Sequence, residues 1–380
     1  MTKPRFKGKS DLTRHLYGKD ASLPAFSALY NDLLHKDDDF VVNLNPSDSI
    51  SDIDVMLAVD LLRDDSSLTR EGVACKIEEA FAKKQHHAKI ESLINLTVQV
   101  MVMVDCAAKE RHSTGFAVGG YRPISWLQRE TFLEFVTRSF PANLDPAATD
   151  RAEAAVDEKA ALKAWKLQKR LGVRFRGTHN LSEHLLLDPR SNCLYLFHHA
   201  GFLKAQLNRA RDQGQSLNHG MSDSLQRPLS CRLTPEKRGT LPPQLLVETL
   251  HSLQSILFPS IDQKSAEVLD DLTNKRVGGF DHECTEYEGY KIFQDPPEDF
   301  RYVYWGERLA LLHDMVMSRP PRNKLERWLH RQSNEGNALF IALVALLISI
   351  LVGIVSIGLA AVQIWIAWMA WKYPTPGSPG

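Results

Sequence analysis

The stretch "FIALVALLISILVGIVSIGLAA", residues 340–361, decides the architecture of this chain. It holds fourteen Phe, Leu, Ile and Val residues and belongs to a longer run, between Glu335 and Lys372, without one charged side chain. A run that apolar and that long reads as a transmembrane helix. Each large apolar residue near its centre favours insertion by about 0.3–0.6 kcal/mol, and no charge opposes them. As one helix the uncharged run extends roughly 50 Å, against a hydrocarbon core of about 30 Å. Residues 340–361 therefore cross the core in this reading. The following "VQIWIAWMAWKY" lies in the far interface, where Trp365, Trp368 and Trp371 recur as an aromatic belt. Pro374 and Pro376 then end the helix.

The flanks set the orientation. Arg319, Arg322, Lys324, Arg327 and Arg331 precede the run, offset by Glu326 and Glu335, and only Lys372 follows it. The excess of positive charge places the N-terminal body in the cytosol. In "NKLERWLHRQ", Leu325, Trp328 and Leu329 oppose basic residues, so the segment reads either as a surface helix on an anionic leaflet or as a plain helical lead-in. Within the run, Ala342, Ala345, Ser349, Gly353, Ser356, Ala360, Gln363, Ala367 and Ala370 recur at spacings of three or four, 3.5 on average. Small residues at that period let two helix backbones approach, so the stripe implies self-association, against the alternative that it reflects membrane-helix composition alone.

The rest of the chain is a water-soluble body. Mean hydropathy is −0.26 even with the apolar run included. Lys plus Arg and Asp plus Glu balance at 46 each, so no global field steers the protein toward nucleic acid. Cys75, Cys106, Cys193, Cys231 and Cys284 are odd in number and far apart, with no C-x-x-C pair. That spacing suits a reducing compartment and argues against a disulfide framework or a structural zinc site. The basic N-terminus lacks an apolar core and is not a secretory signal.

The body reads as helices. "SLPAFSALYNDLLHK", "SISDIDVMLAVDLLRDD" and residues 66–84 are the first three. "KIESLINLTVQVMVMVDCAAKER" is apolar nearly all round and reads as the central buried helix. In "PISWLQRETFLEFVTRSFP", Ser125 and Gln128 stand at capping-box spacing. Residues 145–171 read as one long, exposed helix. A short strand at residues 173–176 follows, then a capping box from Asn180 to Glu183. "HLLLDPRSNCLYLF" reads as a hairpin turning at residues 189–192. Helices "HHAGFLKAQLNRARD", "PPQLLVETLHSLQSILFP", "IDQKSAEVLDDL" and "EDFRYVYWGERLALLHDMVM" complete the body. A hairpin after helices can mark a winged-helix module, but no helix carries an Arg/Lys cluster interleaved with base-reading groups. The organisation expected is a flexible start (residues 1–22), a body (23–318, with a flexible excursion at 213–243), a basic juxtamembrane segment (319–337), the membrane helix (338–371) and a short tail (372–380).

Chemical signatures are sparse. Asp281, His282, Glu283 and Cys284 are the densest group of potential metal ligands, but neighbours on a strand face opposite ways, so one ion takes at most two of them. A surface His and a buried Cys are the expected outcome there, and neither a metal nor a cofactor is expected. His198 and His199 open a helix, where one packs or caps and the other is solvated. His86 and His87 read as surface. Gly119 and Gly120 lack the Lys and Ser/Thr of a phosphate loop. The candidate catalytic residues are therefore His198, His199, His282 and Cys284.

The segments "HLLLDPRSNCLYLFHHAGFLKAQL", "LPPQLLVETLHSLQSILFP" and "YWGERLALLHDMV…NKLERWLHRQSNEGNALFIALVALLISILVGI" resemble a large group of fungal single-pass proteins. These share a mostly helical N-terminal region, an "FHH…FLK" stretch and a Trp-containing basic segment before a C-terminal membrane helix. Here those features are Phe197, His198 and His199, then Phe202, Leu203 and Lys204, and Trp328. The likeness covers the second half of the chain well and the first half loosely. It implies the architecture and a fungal origin, and it transfers no activity and no site.

The fold class expected is mainly α: a helical cytosolic body with a small β-hairpin, plus one C-terminal transmembrane helix. The function expected is that of a tail-anchored single-pass interaction or scaffold protein, with a lipid bilayer, a protein and a second copy of the chain as partners and no nucleic acid. The alternatives are a membrane-tethered enzyme acting on an apolar substrate, and an oligomeric channel or signalling assembly.

Overall fold

A computed structural model describes residues 10–18, 23–40, 50–81, 87–107, 121, 124–217, 241–275, 279–286, 300–318 and 337–372. The fold is mainly α, with one small sheet and one long apolar helix near the C-terminus. The chain divides into two units, Met1–Met317 and Ser318–Gly380.

The first unit begins with α1 (Ser10–Tyr17), α2 (Pro24–Phe40), α3 (Asp52–Asp64), α4 (Arg70–Ala80) and α5 (His87–Val102). The first of these corrects an expectation. Residues 10–17 fall in the stretch read as flexible, yet they are helical and bury Leu12 and Leu16. α5 is the central helix its sequence implies. Ile90, Leu93, Ile94, Leu96, Val98, Val100 and Met101 are buried, and α2, α3 and α4 all pack on it. Its apolar run continues, but the helix stops at Met103, whose φ of 52° leaves the helical region. α3 starts at a reciprocal capping box between Ser51 and Asp54. The capping box expected at Ser125 and Gln128 lies instead at Thr131 and Glu134, opening α6 (Phe132–Ser139). Residues 124–127 are non-helical, because Trp126 turns inward to pack on Phe132 and Phe135 and its carbonyl accepts a hydrogen bond from the buried Arg70 (2.9 Å).

The long exposed helix expected at residues 145–171 is broken into α7 (Pro146–Asp157), a 3-10 turn (Lys159–Ala161) and α8 (Ala164–Leu171). The break drops Leu162 into the core, and Ala148, Ala152 and Ala155 make α7 half-buried rather than solvated. Gly172, at φ 69°, ends α8 in the left-handed conformation that glycine adopts at helix C-termini.

Three strands follow: β1 (Arg174–Thr178), β2 (Leu186–Asp188) and β3 (Cys193–Phe197). β2 and β3 form the expected hairpin. β1 adds to the other edge of β3 in parallel, giving the order β1-β3-β2, with Arg174 opposite Cys193 and Thr178 opposite Phe197. β3 is therefore central, which its nearly continuous apolar run "CLYLF" fits.

Next come α9 (Ala200–Leu217), α10 (Pro243–His251) running into a π-helical turn (Ser252–Leu257), α11 (Gln263–Thr273) and α12 (Gly306–Met317). Phe300 and Tyr304, expected on the last helix of the body, lie in the non-helical lead to α12. A buried carboxylate fixes that lead. Glu248 on α10 accepts hydrogen bonds from the backbone N–H groups of Val303 (2.8 Å), Tyr304 (2.9 Å) and Trp305 (3.0 Å), and from Gln244 Nε2 (3.1 Å). Burial pushes the Glu248 carboxyl up to about 7 against the pull of those donors. Most of the expected excursion, residues 218–240, and the juxtamembrane segment lie outside the described residues.

The second unit contains α13 (Asn337–Lys372). Among the described residues it alone is long and apolar enough to cross a membrane, over Leu346–Met369, 24 residues with a mean hydropathy of 2.5.

α7 and α12 pack so closely that a Cβ on Gly306 would stand 2.7 Å from Ala152 Cβ. Gly306→Ala should therefore destabilise the protein by about 1–3 kcal/mol, although alanine is the better helix former. Chemical denaturation of the full-length variant checks the sign, and an unchanged or raised midpoint would contradict this packing.

Candidate functional site

Parallel pairing brings the ends of β1 and β3 side by side. The residues that follow Thr178 and Phe197 are His179 and the pair His198–His199. Three imidazoles thus leave the same end of the sheet, where α9 begins. One ring nitrogen from each lies within 4.8 Å of the other two. His179 Nδ1 and His199 Nε2 are 2.7 Å apart, sharing one proton in a hydrogen bond. The His198 and His199 rings stack with centroids 4.3 Å apart, and His179 sits 5.0 Å from each.

The surroundings fix much of the protonation. Asp281 donates its backbone N–H to His198 Nδ1 (3.1 Å), so the neutral ring carries its proton on Nε2. Phe280 stacks on the same ring, and a Cβ at Gly177 would come within 2.9 Å of it, so only glycine fits there. His198 and His199 are both buried, while His179 is exposed. Burial pushes the His198 imidazole down to about 3, with the neighbouring His179 adding to the effect. Burial, then His198 and His179, hold His199 well below the ordinary range. Both rings are neutral near pH 7. His199 Nδ1 is buried without a hydrogen-bond partner. Leaving such a group unmatched costs about 1–3 kcal/mol, so a ring that served packing alone would be better replaced by an apolar one.

A fourth imidazole, His184, has a different part. Its Nδ1 accepts from Phe197 N–H (3.2 Å) and its Nε2–H donates to Ser252 Oγ (2.8 Å), which in turn donates to Thr249 O (2.8 Å). Every polar atom of that ring is matched, which marks it as a structural tie between the sheet and α10.

Of the residues singled out from sequence, His198 and His199 belong to this cluster, and neither is solvated, against the expectation for one of them. Asp281, His282, Glu283 and Cys284 form no strand. They make a 3-10 turn capped by the Asp281 side chain, which accepts from Glu283 N–H (3.2 Å) and from Gly201 N–H at the start of α9 (3.3 Å). His282 is exposed and pairs with Thr285 (3.0 Å). Cys284 is buried, and its thiol donates to His198 O (3.0 Å). Burial drives that thiol far above its usual range, so it stays protonated and is not a nucleophile. Cys75, Cys106 and Cys193 are likewise free.

On α13, Ser349, Gly353, Ser356, Ala360 and Gln363 lie in the exposed helix, and Ser356 donates its hydroxyl to Val352 O (2.8 Å). Trp365, Trp368 and Trp371 are exposed, and Lys372 Nζ sits 4.6 Å from the centre of the Trp368 ring. The side chains of Ala342 and Ala345, and all of Trp328, lie outside the described residues. His179 was missed from sequence. The available signal was a strand ending near a His and a second strand ending in two more, but only the parallel register joins them.

No family model, no curated protein and no solved structure matches this chain.

The buried imidazoles give the stability of the body a pH dependence with a definite sign. His198 and His251, pushed down by burial to about 3 and about 4, and His184 and His199, held well below the ordinary range, take up protons near pH 6.5 only when unfolded. Their contribution is complete above pH 6.5 and is lost as pH falls toward 4. Glu248 works the other way, its contribution fading as pH rises toward 7, and so does Asp281, whose carboxyl burial also raises, but they are two groups against four. Thermal unfolding should therefore shift to lower temperature between pH 7 and pH 5, and a flat or rising profile would contradict the buried neutral rings.

Proposed function

We propose that this chain is a single-pass membrane protein, held by α13, whose helical unit lies on the cytosolic face and acts as an interaction or scaffold module. The observation that carries the reading is the apolar stretch Leu346–Met369. Leu346, Ile357 and Ile364 expose 61%, 72% and 70% of their surface. That surface costs about 25 cal/mol per Å² in water, and a bilayer removes the cost. The basic residues before the helix support the orientation, as does the exposed tryptophan end beyond Ile364. The resemblance to fungal single-pass proteins points to the same arrangement. Cys284 speaks against the enzyme alternative built on His282 and Cys284, because its thiol is protonated and bonded to a carbonyl.

Full-length protein expressed in cells should stay in the membrane pellet after carbonate washing, and a variant lacking residues 340–371 should move to the supernatant. An acceptor sequon added after residue 380 should be glycosylated, with the N-x-S/T sequons that begin at Asn95 and Asn180 unmodified. Recovery of the intact chain in the supernatant, or glycans on the body, would overturn the proposal.

A further inference from the structure

We propose that His179, His198 and His199 bind a divalent transition-metal ion of the zinc class. An all-imidazole donor set suits zinc, copper and nickel and does not suit magnesium or calcium, which take oxygen. The site lies at the carboxyl ends of two parallel strands and at the start of a helix, so rigid elements hold two of its three ligands. His199 and His198 are buried, and His179 is exposed and supplies the path by which an ion enters.

The distances decide how far the cluster must move. Tetrahedral zinc with bonds of about 2.0–2.1 Å holds its ligand nitrogens about 3.3 Å apart. His179 Nδ1 and His199 Nε2, now at 2.7 Å, must part by about 0.6 Å, and an ion in place of their shared proton does that. These two are the first ligands. The widest nitrogen pair, at up to 4.8 Å, must close by about 1.5 Å. His198 Nδ1 is engaged by Asp281 N–H. To join the ion it must release that amide, either by presenting Nδ1 or by turning over. Metal binding is thus linked to the turn at His282–Cys284, and Asp281 N–H is its reporter. Three imidazoles leave a fourth position open for water, the arrangement of reactive rather than structural zinc sites.

The test uses untagged full-length protein in detergent or nanodiscs, titrated with Co²⁺ as an absorbing stand-in for zinc and then with Zn²⁺ in competition. The expected result is one ion per chain, a visible tetrahedral Co²⁺ spectrum, and displacement by zinc. His179→Gln, at the exposed ligand, should lower affinity by at least about 100-fold, since loss of even an outer-shell partner of a ligand costs about 10–100-fold, in a chain whose metal-free unfolding is still cooperative. His282→Gln, at the exposed histidine of the nearby turn, should leave affinity unchanged. In the wild-type chain zinc should raise the unfolding temperature and shift the Asp281 amide resonance. Absence of Co²⁺ uptake by the wild type, or equal affinity in the His179→Gln variant, overturns the proposal. Loss in the His282→Gln variant as large as that in the His179→Gln variant moves the ion to the turn and overturns it as well.

Discussion

The parallel pairing of β1 with β3 is the constraint on which the central part of this structure depends. It makes β3 an interior strand, so the short apolar run "CLYLF" is buried along almost its whole length. It sends the chain off one end of the sheet twice, first through His179 and then through His198 and His199 into α9. Two antiparallel strands would have put those ends on opposite sides. The close approach of Gly177 to the His198 ring and the Asp281 amide bond to the same ring follow from that placement.

Around the sheet, buried polar groups do the tying that apolar contact alone does not specify. Glu248 gathers three consecutive amides before α12, His184 joins β3 to α10 through Ser252, and Arg308 donates to the carbonyls of Ser182 and His184 while lying 4.9 Å from the centre of the Trp305 ring. Lys204 reaches Glu283 Oε2 (3.2 Å) and the Glu286 carbonyl (2.9 Å) from α9. Each of these groups is costly to bury unmatched and modestly favourable when matched. Their combined effect is to favour the arrangement in which all of them are matched.

Much of the fold was legible in the sequence. The buried α5, the hairpin and the apolar α13 each follow from a local pattern. What escaped was set by distant partners. Thr131 rather than Ser125 opens α6 because Trp126 is drawn into the core, and a capping spacing cannot register that pull. The alanines of α7 read as solvent-facing, yet they are small because α12 lies against them, as the tight approach at Gly306 requires. Leu12 and Leu16 in the basic start gave too short an apolar pattern to read as a helix. The candidate site was half legible. His198 and His199 stood out as a pair, whereas His179 gained significance only through a strand register that no local spacing encodes.

The three clustered imidazoles span only 21 residues of chain, from His179 to His199, whereas Asp281 follows His198 by 83 positions. Contacts so near in sequence close with little loss of chain entropy, and distant ones close later. During synthesis the strand-turn-strand segment leaves the ribosome well before the Asp281 amide exists. His198 therefore begins its life without the donor that later occupies it, and the order of translation gives any ion near the nascent chain the first chance at that ring.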